Sequence, residues 1–158
     1  MEWLIKRFEE LTLQELYDIL RLRNSVFILE QKCPYQDIDG RDSHGYHLFL
    51  KDEDGKICAY LRILEKGQTF DEISIGRVIV RKDKRGAGLA KAMLLKAISF
   101  IRKRLNGKTI KIEAQAYLKE FYRKIGFEPY SDLYLEDDIP HIKMVRKETT
   151  ITQKEGRF

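Results

Sequence analysis

Ser74-Ile75-Gly76-Arg77-Val78-Ile79-Val80-Arg81-Lys82-Asp83-Lys84-Arg85-Gly86-Ala87-Gly88-Leu89-Ala90 is the stretch that decides the reading of this chain. The run up to Val80 is rich in β-branched residues and predicts a strand. A short basic turn with Gly86 and Gly88 follows, and a helical pattern opens at Leu89 and Ala90. Glycines at a strand-to-helix turn let the backbone approach a ligand with no side chain in the way. The unpaired N–H groups of the first helical turn then point outward, where they suit an anion such as phosphate. Strand, bare turn and helix N-terminus together predict a phosphate cradle. A Walker loop would end in Gly-Lys-Ser or Gly-Lys-Thr, which is missing here. A dinucleotide fingerprint would need glycine or alanine three residues after Gly88, where Lys91 stands.

Working outward, the pattern is α+β, with no internal repeat or linker. Met1 to Glu9 can form a first strand, and Leu13, Leu16, Tyr17, Leu20, Val26 and Phe27 have helical spacing, in one or two pieces from 12 to 30. Residues 32 to 45 read as a turn-rich loop with Pro34 and Gly40. His47 to Leu50, the turn at Asp52 to Gly55, and Ile57 to Leu64 predict a hairpin. The signature strand covers about 73 to 81. Ala90, Leu94, Ala97, Ile101 and Leu105 make one apolar helix face that Asn106-Gly107 ends. A strand over 109–114, a short helix over 117–125 and two closing strands over 127–146 complete the chain.

At 158 residues the chain suits one domain with a single substantial core, expected over 1–147, and a polar tail expected to be disordered over 148–158. Its 43% hydrophobic and 35% charged residues fit a soluble globular protein. No apolar run approaches the ~20 residues of a membrane helix, so no membrane partner is expected. The start, Met1 to Lys6, lacks the apolar core of a signal peptide. Cys33 and Cys58 alone do not make a disulfide framework, and a cytoplasmic setting follows as the default.

The net charge of +5 is unevenly spread. Residues 81 to 111 hold eleven Lys or Arg and one acid, Asp83, a balance of +10, so the remaining 19 basic and 24 acidic residues balance at −5. The basic stretch overlaps the cradle, as a ligand with several phosphates requires. Lys96, Arg102, Lys103 and Arg104 read as a solvated helix face. Nucleic acid is not expected as a partner, because the basic helix lacks interleaved exposed aromatics.

Arg85, Gly88 and Ala90 form Arg-x-x-Gly-x-Ala, which resembles the signature of the GNAT superfamily of coenzyme A-dependent acyltransferases. Ala114 to Phe127 resembles its Asn-x-x-Ala-x-x-x-Tyr-x-x-x-Gly-Phe segment, with Gln115 for Asn and Leu118 for Ala. Glu30 to Tyr35, Asp39 to Asp42, and Tyr134 to Ile142 resemble the ElaA-like subgroup. The matches span residues 24 to 145 in family order. The resemblance implies a central, mostly antiparallel, strongly twisted sheet with a splayed strand pair, flanked by helices. It implies transfer of an acetyl group from acetyl-CoA, the co-substrate, to a primary amine by direct attack in a ternary complex. A non-catalytic acyl-CoA-binding regulator on the same fold is the alternative.

The same resemblance implies that pantetheine lies between strands 74–80 and 109–114, against the backbone of Val78, Ile79 and Val80. The backbone of Arg85, Gly86, Ala87, Gly88, Leu89 and Ala90 would take the pyrophosphate. A backbone N–H near Val78 would polarise the thioester, and Tyr122 would protonate the leaving thiolate. Tyr122 has a second reading as a packed aromatic beside Phe121 and Phe127. Gln115 either holds cofactor amides or caps the next helix. For the general base, Glu113, Glu136 and His141 are the candidates. Asp39, Asp42, His44, Asp137 and Asp138 would add an acidic rim that favours a cationic amine acceptor. A metal at His44, His47 and His141 matches no zinc spacing, so none is expected. A covalent relay through Cys33 or Cys58 lacks an activating partner. The assembly is expected to be a monomer or homodimer.

Overall fold

The computed structural model describes residues 1–148. Apart from Glu148, the expected tail lies outside the described residues. The strands are β1 (Glu2–Arg7), β2 (Gly45–Lys51), β3 (Ile57–Leu64), β4 (Ile73–Val80), β5 (Thr109–Gln115), β6 (Glu128–Pro129), β7 (Tyr134–Glu136) and β8 (Ile139–Lys147). They form one sheet in the order β1-β2-β3-β4-β5-β8-β6, with β7 also on β8. Every pairing is antiparallel except β4 with β5. Three closing strands, two short and one of nine residues, stand where the periodicity predicts two, because Asp137 and Asp138 (φ 50° and 61°) fold β7 tightly back onto β8. Two consecutive left-handed residues are what a type I′ hairpin turn requires, and Asp tolerates that region.

Helices cover both faces of the sheet. Helix α1 (Leu13–Arg23) starts with a reciprocal cap, in which Thr12 Oγ1 accepts from Glu15 N at 3.0 Å and Glu15 Oε1 accepts from Thr12 N at 2.9 Å. It runs without a break into a π-helical segment, Asn24–Glu30, a rare geometry that is frequent at functional sites. Ile19, Leu22 and Val26 of this face pack on Phe49, Tyr60 and Ile79. On the other face, Met93, Leu94, Ala97, Ile98 and Ile101 of α2 (Leu89–Arg104) pack on Leu48, Leu61, Ile63 and Ile73. The short α3 (Lys119–Arg123) adds Tyr122 there and closes at Gly126, whose φ of 103° suits glycine. With both faces covered, β3 is buried at every position, which explains its nearly continuous apolar run.

Candidate active site

Strands β4 and β5 pair only through Ile73 with Ile110 and Ser74 with Lys111, and then part. A bulge in β4 helps to part them. Tyr60 faces Ile79 and Arg62 faces Gly76, so Leu61 alone spans Arg77 and Val78. Arg77 sits at φ 53°, in the left-handed region that non-glycine residues seldom adopt. The inserted residue flips the alternation. Ile73 and Ile75 join the α2-side core, whereas beyond the bulge Val78 and Val80 do so and Ile79 turns toward α1. The facing edges of β4 and β5 border a cavity of about 550 Å³, a size that suits one small-molecule site.

The cradle forms the rim at one end. Gly86 (φ 87°) and Gly88 (φ 77°) are left-handed, and a Cβ on either would meet no atom within 4 Å. The space in front of the turn is therefore open. Gly88 precedes Leu89, the first residue of α2; Gly86, Ala87, Gly88, Leu89 and Ala90 lie on this rim, outside the cavity wall. Val78, Ile79, Val80 and Arg85 do line the wall. The Val80 carbonyl accepts from Arg85 Nε at 2.8 Å, and the two terminal nitrogens of Arg85 grip the Glu30 carboxylate at 2.8 and 3.0 Å. That pair holds the carboxyl of Glu30 below its usual range.

Tyr122 and Gln115 line the same cavity from the β5 side. Tyr122 is packed among aromatics and at the same time reaches the cavity wall. Its ring meets Phe121 and Phe127 edge-on at 5.3 and 5.8 Å between centroids, while the residue still borders the cavity. Burial pushes its phenol above the ordinary tyrosine range, so it stays protonated. Gln115 makes no capping bond to the following turn; its Nε2 lies 3.5 Å from Gln31 Oε1.

At the other end the three base candidates come together. Glu113 lies on the non-core face of β5, paired with Lys143 of β8 on one side and past the point where β4 and β5 part, so that it borders the cavity. Its Oε2 accepts from the Tyr134 hydroxyl at 3.1 Å. Glu136 at the end of β7 also lines the cavity, where burial and the neighbouring Glu113 push its carboxyl up to about 7. His141 stacks on Tyr134 at 6.0 Å, and its Nδ1 lies 2.7 Å from the Ile139 carbonyl. That contact requires Nδ1 to carry the proton and leaves the lone pair on Nε2.

The acidic rim differs from expectation. Asp42 is buried between Arg23 (2.7 Å) and Arg62 (2.9 Å), and Asp39 grips Arg62 at 2.8 and 2.9 Å. Arg77 Nε lies 2.8 Å from Asp37 Oδ1 in an ion pair too poorly aligned for a hydrogen bond. Arg77 Nη2 does donate to the Asp37 carbonyl at 3.0 Å. Burial opposes charge on Asp39 and Asp42, but the guanidinium hydrogen bonds win and hold both carboxyls low. His44 and Asp138 lie outside the cavity wall, so the acidic lining reduces to Glu113, Glu136 and Asp137 beside Asp39 and Glu30, both of which are paired with arginines. This Arg–Asp network pins the irregular loop after the π-helix over the cavity. Losing one partner of such a buried pair costs about 3–5 kcal/mol. Periodicity missed these residues; the only trace is the close spacing of Asp37, Asp39 and Asp42.

The histidines do not converge on a metal. His47 is fully buried, with Nε2 2.8 Å from the Asp42 carbonyl and Nδ1 2.7 Å from the Tyr60 hydroxyl. Among the described residues no three His, Cys, Asp or Glu are grouped to hold an ion. Cys33 Sγ donates to the Asp137 carbonyl at 3.1 Å, and burial together with Asp137 and Asp138 pushes its thiol up. It is thus a tie between two loops, and a poor nucleophile.

A sheet parted between two parallel strands, with a glycine turn and a helix N-terminus at the mouth of the gap, defines the acyl-CoA N-acyltransferase fold. Residues 11–148 match the family described as acetyltransferase (GNAT) domain, and the chain belongs to that family. It is 38% identical to Protein ElaA of Escherichia coli over 148 residues, 93% of this chain and 97% of that one. The crystal structure of Escherichia coli ElaA superposes with a TM-score of 0.86 over 93% of this chain and 100% of that chain, at 39% identity. An acyl-CoA N-acyltransferase from Pseudomonas aeruginosa is 40% identical, with a TM-score of 0.84 over 92% of this chain and 99% of that chain. A UPF0039 protein of Schizosaccharomyces pombe is 39% identical over 145 residues, 91% of this chain and 95% of that one. No described helix is long and apolar enough to cross a membrane.

Proposed function

We propose that the protein is an N-acetyltransferase that moves an acetyl group from acetyl-CoA to a primary amine by direct attack in a ternary complex. One observation carries the reading. A single cavity between the parted strands joins the cradle's rim to Tyr122 and to the Glu113–Glu136 pair. The residues fit the ligand, since the space before Gly86 and Gly88 is open and Val78, Ile79 and Val80 line the gap. Acetyl-CoA supplies the activated acyl group as a thioester. The backbone of Val78 and Val80 then pairs with the pantetheine amides like an added strand. The N–H groups from Arg85 to Ala90 hold the pyrophosphate.

A main-chain N–H at the bulge, near Val78, stabilises charge developing on the thioester oxygen. Glu136 accepts the amine proton, because a carboxyl near 7 is ionised for half the molecules at neutral pH yet basic enough to help. Glu113, held by Tyr134, keeps that carboxylate basic. Tyr122 donates its proton to the departing sulfur. Screening amines for thiol release from acetyl-CoA tests the reaction, and turnover separates an enzyme from an acyl-CoA sensor. Tyr122→Phe should lower kcat about a hundredfold while leaving the acetyl-CoA KM nearly unchanged. A kcat within twofold of the parent, with chemistry rate-limiting, would leave Tyr122 as packing alone.

A further inference from the structure

The cavity wall carries one guanidinium that the fold does not neutralise. Arg23, Arg41, Arg62 and Arg77 gather around Asp37, Asp39 and Asp42, four positive charges against three negative. The surplus falls on Arg41. Arg23 and Arg62 hold carboxylate oxygens at 2.7 to 2.9 Å. Arg77 reaches Asp37 Oδ1 at 2.8 Å. The Arg41 guanidinium comes no nearer than 3.8 Å to Asp39, whose oxygens Arg62 already occupies and to which Arg41 gives only its backbone N–H, at 3.0 Å. Its Nε donates to the Gln68 carbonyl at 3.2 Å, and its side chain remains 43% exposed. Arg41 lines the cavity together with Glu113, Glu136 and Asp137. One cavity therefore presents an under-paired cation and an acidic group from different elements, the loop after the π-helix and strands β5 and β7 with the turn after β7.

We infer that the acceptor carries a carboxylate as well as its amine. It is an amino acid in the broad sense, with the amine toward Glu136 and the carboxylate toward Arg41. This rests on the transferase reading and narrows its acceptor. A planar guanidinium pairs a carboxylate through two parallel hydrogen bonds, a geometry that a lone amine cannot use. The acids opposite repel a carboxylate, so the two charges fix which end of the acceptor meets the thioester. Size agrees, because a cavity of about 550 Å³ that also admits a pantetheine arm leaves room for a small acceptor.

The test compares kcat/KM for matched pairs, each an α- or ω-amino acid and the amine left when its carboxylate is removed. For the best pair, the parent protein should prefer the acid by about tenfold or more. Arg41→Gln should collapse that ratio toward one, Arg41→Lys should retain part of it, and Arg41→Glu should invert it. The side chain is nearly half exposed, and circular dichroism is the check that each variant folds. Equal kcat/KM for acid and amine in the parent, or a ratio unchanged in Arg41→Gln, overturns the inference. Absence of thiol release with every pair overturns the transferase reading instead. Calorimetry of the same amino acids on the protein–CoA complex then decides the inference by itself: binding that Arg41→Gln abolishes supports it, and no binding by the parent refutes it.

Discussion

At the scale of single residues, Glu136, the proposed base, shows how a fold shifts an ordinary carboxylate. Burial and a like-charged neighbour both penalise its ionised form, and together they push it up to about 7. A base must be ionised to accept a proton, so activity should rise with pH through that value. The acid limb of kcat/KM is expected near 7. Glu113→Gln removes the neighbouring charge while leaving burial in place. The limb should then move down by about one pH unit or more, toward the ordinary carboxylate range. The pH profile of the two proteins checks this. A limb that stays in place in Glu113→Gln would remove Glu136 as the base.

At the scale of elements, the cradle depends on backbone alone, and one atom in the wrong place should close it. Gly88→Asp places a carboxylate at the turn proposed to hold the pyrophosphate, at a left-handed position that Asp tolerates for about 1 kcal/mol. Coenzyme A affinity by calorimetry should fall about a hundredfold or more, with the far-ultraviolet dichroism unchanged. Unchanged affinity in a folded variant would remove the loop from the site. The cradle was legible because its signal is local: β-branched strand, two glycines, helix. The helices and main strands were legible for the same reason, through period and turn chemistry. The bulge was not. The switch from Ile73 and Ile75 to Val78 and Val80 is written in the sequence, but a change of face has meaning only once β3 supplies the register. The loop holding Asp37, Asp39 and Asp42 was legible only as a loop. Its order comes from arginines 14 to 40 residues away, and such pairings leave no periodic trace. That is why Asp39 and Asp42 read as acceptor-facing acids when the fold spends them on guanidinium groups.

At the scale of the whole molecule, the uneven charge should separate how the two proposed substrates are attracted. The stretch from 81 to 111 balances at +10 and the remainder at −5, yet several of its cations are already engaged. Arg81 pairs with Asp52 and Asp83, Lys111 with Glu72, and Lys96 lies 5.7 Å over the Trp3 ring. Lys82, Lys84 and Lys91 flank the cradle with no carboxylate paired to them among the described residues. Their attraction for a phosphate-bearing ligand acts through solvent, where the Debye length falls from ~10 Å at 0.1 M salt to ~3 Å at 1 M. Coenzyme A binding should therefore weaken by about tenfold or more across that range, and Lys84→Gln with Lys91→Gln should flatten the dependence. An acceptor with both charges is nearly neutral as a whole and meets its partners inside the cavity. Its KM should move by less than about threefold over the same salt range, measured at saturating acetyl-CoA. A purely cationic acceptor drawn by the acidic wall would instead lose affinity in step with coenzyme A. Parallel salt slopes for the two substrates would thus favour a simple amine, whereas a steep slope for coenzyme A and a shallow one for the acceptor matches the charge pattern of the fold.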